Sequence, residues 1–109
     1  MLWRQGDIFV ETTPAIPPGA IRLPHTVLAE GEVTGHQHRI GEFGSAVVSE
    51  YRGQTFLDVV ADKASLIHEE HGTIVLERGA YRFWRQREYD PMARRGNPVG
   101  SLLHRFVMD

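Results

Sequence analysis

Apolar and polar residues alternate with period two along most of this chain, and Gly, Pro or Asp interrupts the alternation every few residues; no window of a dozen residues carries a 3.6-residue apolar repeat. Strands joined by turns are therefore expected. Residues 6–11 read as a first strand, ended by Thr12-Thr13-Pro14 and by Ile16-Pro17-Pro18-Gly19, where proline removes the donors a ladder needs. Further strands are predicted at 26–30, 36–40, 46–51, 55–61, 65–68, 73–76, 81–89 and 102–108. Arg78-Gly79 reads as the turn of a hairpin joining 73–76 to 81–89. A length of 109 residues suits one domain with one core, spanning 1–109. Many short strands protect their edges by closing or doubling the sheet, so the predicted class is all-β, a small single-domain barrel or sandwich.

Composition narrows the chemistry. Hydrophobic residues at 41% and charged residues at 24% match ordinary globular usage, which argues against a disordered or membrane class. The opening Met1-Leu2-Trp3-Arg4-Gln5-Gly6-Asp7 lacks an apolar run of signal-peptide length, so the expected location is the cytoplasm. The absence of cysteine excludes disulfides, thiolate nucleophiles, iron–sulfur clusters and cysteine-based zinc sites. A metal site here must use His, Asp or Glu.

Four of the six histidines fall in two short clusters, Gly35-His36-Gln37-His38 and His68-Glu69-Glu70-His71-Gly72. Imidazole is the commonest metal ligand. On an extended strand His36 and His38 share a face with Cα atoms roughly 6.6 Å apart, a span two imidazoles can bridge to one ion. His68 and His71, three apart, share a face on a single helical turn, so the chain is expected to coil at 66–72 with both rings inward. Glu69 or Glu70 then lies beside them as ligand, supporting partner or proton carrier. His25 and His104 are lone residues and receive no role. The spacing of His68 and His71 is one residue short of the HExxH of zincins, and the PCxxC of nucleobase deaminases is missing. Glycine-rich phosphate loops and a serine nucleophile elbow are also missing, which disfavours nucleotide hydrolysis and serine-hydrolase chemistry.

The pattern His36-x-His38-x3-Glu42 resembles the first metal motif of the cupin family, small β-barrels in which two His, a Glu and a later His hold one divalent metal. The resemblance implies a cupin-like barrel with His36, His38 and Glu42 as ligands, and a fourth from His68 or His71. Arg4-Gln5-Gly6-Asp7-Ile8 resembles the opening of MazF-type endoribonuclease toxins and implies the start of an SH3-like barrel. Arg4-Gln5-Gly6-Asp7, Ala29-Glu30-Gly31-Glu32-Val33-Thr34-Gly35-His36, His68-Glu69-Glu70-His71 and Gln86-Arg87-Glu88-Tyr89 together look like an uncharacterised family of small bacterial proteins. That likeness implies a bacterial cytosolic origin and no particular chemistry.

Two functional readings follow. In the first, His36, His38 and one or both of His68 and His71 hold a divalent transition metal, Zn²⁺, Fe²⁺, Mn²⁺ or Ni²⁺, with Glu42 or Glu70 completing the shell or carrying protons. An open position would activate water or a small-molecule substrate; a closed shell would be structural. The second reading starts from charge. Residues 1–77 carry five basic and eleven acidic side chains (−6), and 78–109 carry seven basic and three acidic (+4). Trp84, Arg85, Arg87 and Tyr89, with Arg94 and Arg95 in the loop after Asp90-Pro91, interleave aromatics with arginines as nucleic-acid platforms do. That face predicts a non-enzymatic module binding nucleic acid or a protein partner. Exposed strand edges are compatible with a homo-oligomer in either reading.

Overall fold

The computed structural model describes residues 1–31 and 34–86, and the alternation becomes eight antiparallel strands: β1 (Leu2–Gln5), β2 (Ile8–Thr12), β3 (Ile21–Arg22), β4 (Val27–Glu30), β5 (Gln37–Ile40), β6 (Ala46–Tyr51), β7 (Gln54–His68) and β8 (His71–Arg85). One sheet runs in the order β1-β2-β8-β7-β5-β4, while β6 pairs with the first half of β7 and carries β3 on its other side. The sheet curls into a half-barrel. The expected all-β class and small size hold. Among the described residues no helix is long and apolar enough to cross a membrane.

The two long strands are where the sequence reading and the structure part. Segments 55–61 and 65–68 are one strand, β7, and 73–76 and 81–85 are one strand, β8, so Arg78-Gly79 is not a hairpin turn. What lies there is a bulge: Val59 pairs with Gly79 and Lys63 with Glu77, so β7 carries extra residues opposite Arg78. Across this irregular stretch the inward set of β7 changes from odd positions, Leu57 and Val59, to even ones, Ala64 and Leu66, all four buried. β8, which carries no extra residue there, likewise changes from inward Leu76 to inward Tyr81 and Phe83 across Arg78-Gly79. Gly79, at φ +152°, supplies the backbone freedom at the bulge. Local propensity cannot distinguish such a bulge from a turn, because both show an interrupted period.

The core joins those residues to Ile8 and Val10 of β2, Ile40 of β5, and Ala46 and Val48 of β6. The strand predicted at 6–11 begins at Ile8 instead, and β1 before it lies outside the predicted strands. Gly6-Asp7 is a two-residue hairpin turn between β1 and β2, with Gly6 at φ +58° and Gln5 paired with Ile8. The predicted strand at 102–108 and the loop at 92–98 lie outside the described residues.

Candidate metal centre

The Gly6-Asp7 turn, Gly31 after β4 with His36 before β5, and the turn from β7 to β8 meet at one end of the half-barrel. His38 and Ile40 belong to the buried alternation of β5, and His68 continues the inward set begun by Ala64 and Leu66. The β7–β8 connection corrects the helical turn expected at 66–72. Glu69 and Glu70 form a two-residue β-turn, and His68 pairs directly with His71 across it. Directly opposed residues of a hairpin project on one face, so a spacing of three joins the rings without any helix.

The four imidazoles converge. Ring centroids are 4.3 Å apart for His38 and His68, 4.8 Å for His68 and His71, 6.0 Å for His38 and His71, and 5.9 Å for His36 and His68. His38 is buried, His36 and His68 are half-buried, and His71 is exposed, so one side of the cluster opens to solvent. Two turn glycines bring backbone close. A methyl group on Gly6 would lie 2.7 Å from His71 Nε2 and 3.2 Å from His38 Cε1; one on Gly31 would lie 3.3 Å from His68 Nε2.

Gln5 sets the state of His38. Its side-chain amide is fully buried, and its Nε2 donates to the carbonyls of Leu66 and Gly72, both at 2.9 Å. Those two acceptors fix which end of the amide is nitrogen, so Oε1 must accept, and it lies 2.9 Å from His38 Nδ1. The single proton of neutral His38 therefore resides on Nδ1. Its Nε2 lone pair faces Asp7 Oδ1 at 3.4 Å. Burial lowers the His38 pKa to about 4, reinforced by His68, opposed by Asp7, and further lowered by His71 and Arg85. The ring is neutral at pH 7.

His68 is held differently, with the Glu70 backbone N–H donating to its Nδ1 at 3.0 Å. In that state the His68 proton is on Nε2. Among the described residues no three His, Asp or Glu side chains already stand as a metal-holding group. The Glu70 hydrogen bond supplies a physical reason, since His68 can ligate only when the turn releases Nδ1 or the proton leaves Nε2. Metal uptake is accordingly expected to move the Glu70 amide resonance more than other amides of β7 in a ¹⁵N spectrum followed during Zn²⁺ addition. An unmoved Glu70 signal at full occupancy would show that His68 keeps its present hydrogen bond.

The carboxylates take distinct places. Glu70 Oε2 lies 3.2 Å from His36 Nδ1 at the open side. Glu69 accepts from the Gln37 backbone N–H at 2.9 Å and from Arg39 at 2.6 Å, fastening the turn to β5. The Gln37 N–H foremost, with Arg39 adding, holds the Glu69 carboxyl at about 2. Glu42 accepts from the backbone N–H and hydroxyl of Ser65 at 2.7 and 2.6 Å, contacts that lower its pKa. Ser65 alternates with Ala64 and Leu66 and so faces away from the side that carries His68. The structure thus engages Glu42 elsewhere, and not among the imidazoles.

The arginine-aromatic strand is described only as far as Gln86. Trp84 stacks on Phe9 with centroids 5.7 Å apart, and the Arg82 guanidinium lies 4.8 Å above the Trp84 ring while also binding Glu11. Arg85 reaches Asp7 Oδ2 at 3.5 Å and donates to the Glu30 carbonyl, which places it beside the histidines. Arg87, Tyr89, Arg94 and Arg95 lie outside the described residues. Sequence reasoning missed Gln5 and Asp7. The signal available for them was Gly6-Asp7 as a hairpin turn, which would have set Gln5 and Asp7 at a strand end.

These features define a small half-barrel β domain with a histidine cluster at one end. The chain belongs to the family described as Domain of unknown function (DUF8820), whose sequence profile matches residues 4–86. That span contains Gln5, Asp7, all four clustered histidines and Arg85. No cupin family matches, so the cupin-like reading of the His36-x-His38-x3-Glu42 pattern is not supported. No curated protein and no solved structure matches the chain.

Proposed function

We propose that this domain binds one divalent transition metal through His38, His68 and His71, with His36 at the edge of the site. The observation that carries this reading is the setting of His38: a buried, neutral imidazole whose Nδ1 is bound by Gln5, whose Nε2 is left facing Asp7, and whose ring lies 4.3 and 6.0 Å from those of His68 and His71. Ligating histidines are held in this way, the second nitrogen donating to a partner that sets tautomer and ring orientation. Distances agree. Two imidazoles on one tetrahedral ion at ~2.1 Å have centroids roughly 5 Å apart, and the spacings of 4.3, 4.8 and 6.0 Å bracket that value.

The donor set suits Zn²⁺, Fe²⁺, Mn²⁺ or Ni²⁺. When bound, the ion would act as a Lewis acid toward water or a small molecule at the solvent-facing side. Glu70, exposed beside His36, is the group placed to carry a proton there. Of the alternative binding face only Trp84 and Arg85 lie among the described residues, and Arg85 is engaged with Asp7 and the Glu30 carbonyl.

The test is elemental analysis of untagged protein purified without chelators and then supplied with each of the four metals. About one ion per chain is expected. His71→Ala, at an exposed position, is expected to keep the fold and lose most of that metal. Equal metal content in wild type and His71→Ala would remove His71 from the site, and no uptake of any of the four would refute the proposal.

A further inference from the structure

We infer that Asp7 is the anionic ligand of this centre, so that the cation is held between His38 Nε2 and Asp7 Oδ1 at the β1–β2 turn. The inference rests on the metal reading above and adds to it a residue outside the two histidine clusters. Gln5 Oε1 occupies His38 Nδ1, so Nε2 is the ring nitrogen left to ligate, and Asp7 Oδ1 stands 3.4 Å from it. Two donor atoms each ~2.05 Å from one tetrahedral ion stand about 3.4 Å apart, which is the separation found.

The backbone and Arg85 aim the carboxylate. The Asp7 carbonyl accepts the Gln86 N–H at 2.7 Å and the Gly6 carbonyl accepts Arg4 Nε at 2.7 Å, which ties the turn down on both sides. Asp7 Oδ2 faces Arg85 Nε at 3.5 Å, and Arg85 is itself anchored on the Glu30 carbonyl. One carboxylate oxygen is thereby directed to the guanidinium and the other to the imidazole, the arrangement expected of a ligand whose far oxygen is oriented by a neighbour. Glycine at position 6 permits this approach, because a side chain there would collide with His71 Nε2. Three imidazoles and one carboxylate form a borderline-to-hard set, which favours Zn²⁺, Fe²⁺ or Mn²⁺ over soft Cu⁺.

Competition for Zn²⁺ against a chromophoric chelator, together with the visible spectrum of bound Co²⁺, tests this on the full chain. Asp7→Asn suits a two-residue turn after glycine, and its metal-free thermal melt is expected to stay close to that of wild type. Its Zn²⁺ affinity is expected to fall tenfold or more, with a changed Co²⁺ spectrum. Asp7→Glu retains charge but displaces the carboxylate, and is also expected to alter the Co²⁺ spectrum. If both variants bind Zn²⁺ within twofold of wild type with an unchanged Co²⁺ spectrum, Asp7 is not a ligand while the histidine centre stands. If wild type binds neither ion, this inference and the metal reading fail together.

Discussion

Gln5→Leu is expected to remove the His38 tautomer lock and to weaken Zn²⁺ binding about 10–100-fold, the range typical of losing a partner that orients a ligating histidine. Leucine is one atom shorter than glutamine, of comparable bulk, and has no polar atoms. The substitution orphans the carbonyls of Leu66 and Gly72 and the Nδ1–H of His38 in a site where Gln5 is fully buried. An unsatisfied buried polar group costs about 1–3 kcal/mol, so an overall destabilisation of roughly 2–5 kcal/mol is expected after partial relaxation. Urea unfolding of the metal-free protein reads the stability effect, and chelator competition reads the affinity. A variant as stable as wild type would show that the Gln5 network does not fasten β1 to the β7–β8 hairpin. A stable variant with unchanged Zn²⁺ affinity would show that the His38 tautomer does not limit binding.

The second large effect concerns pH. The His38 pKa is lowered to about 4 from an ordinary value of 6.5, because the folded state buries the ring among His68, His71, Asp7 and Arg85. Between those two pH values the unfolded chain binds more protons than the folded one, so folding stability rises with pH. The contribution is fully present above about pH 6.5 and is lost as pH falls toward 4. One proton gives a slope of at most about 1.4 kcal/mol per pH unit in that window. Glu69 and Glu42 have depressed pKa values and destabilise on acidification in the same direction, but below the ordinary carboxylate value of 4.5. Urea midpoints measured in chelator from pH 4.5 to 7.5 are expected to climb and then level, and His38→Asn is expected to flatten the climb. A wild-type midpoint that is constant or falls across this range would contradict the burial of a neutral His38.

How far the sequence reached depends on which physical signals are local. The bounds of strand β6 were legible to the residue, because Ala46–Tyr51 runs between Gly44-Ser45 and Arg52-Gly53. Strands β7 and β8 were each read as two, since the bulge between Val59 and Lys63 interrupts the period as a turn would, and only the long-range register distinguishes them. The histidine pairs were visible as ligand candidates, and their shared face was expected, yet for the second pair it arises from cross-strand opposition at a hairpin and not from helical spacing. For Gln5 and Asp7 the Gly6-Asp7 turn signal marks a strand end but not what the side chains meet there. A glutamine in a first strand carries no local sign that it will meet His38, 33 residues away, or Leu66, 61 away. Glu42 shows the converse, a residue placed by a short motif at the metal but engaged by Ser65.

X-ray absorption at the zinc edge of the Zn²⁺-loaded protein reads whether the converging histidines form one metal centre. The expected spectrum has a nitrogen and oxygen shell near ~2.0–2.1 Å with outer-shell scattering from about three imidazoles. An oxygen-only shell without imidazole scattering, or protein that retains no zinc for measurement, would contradict the account.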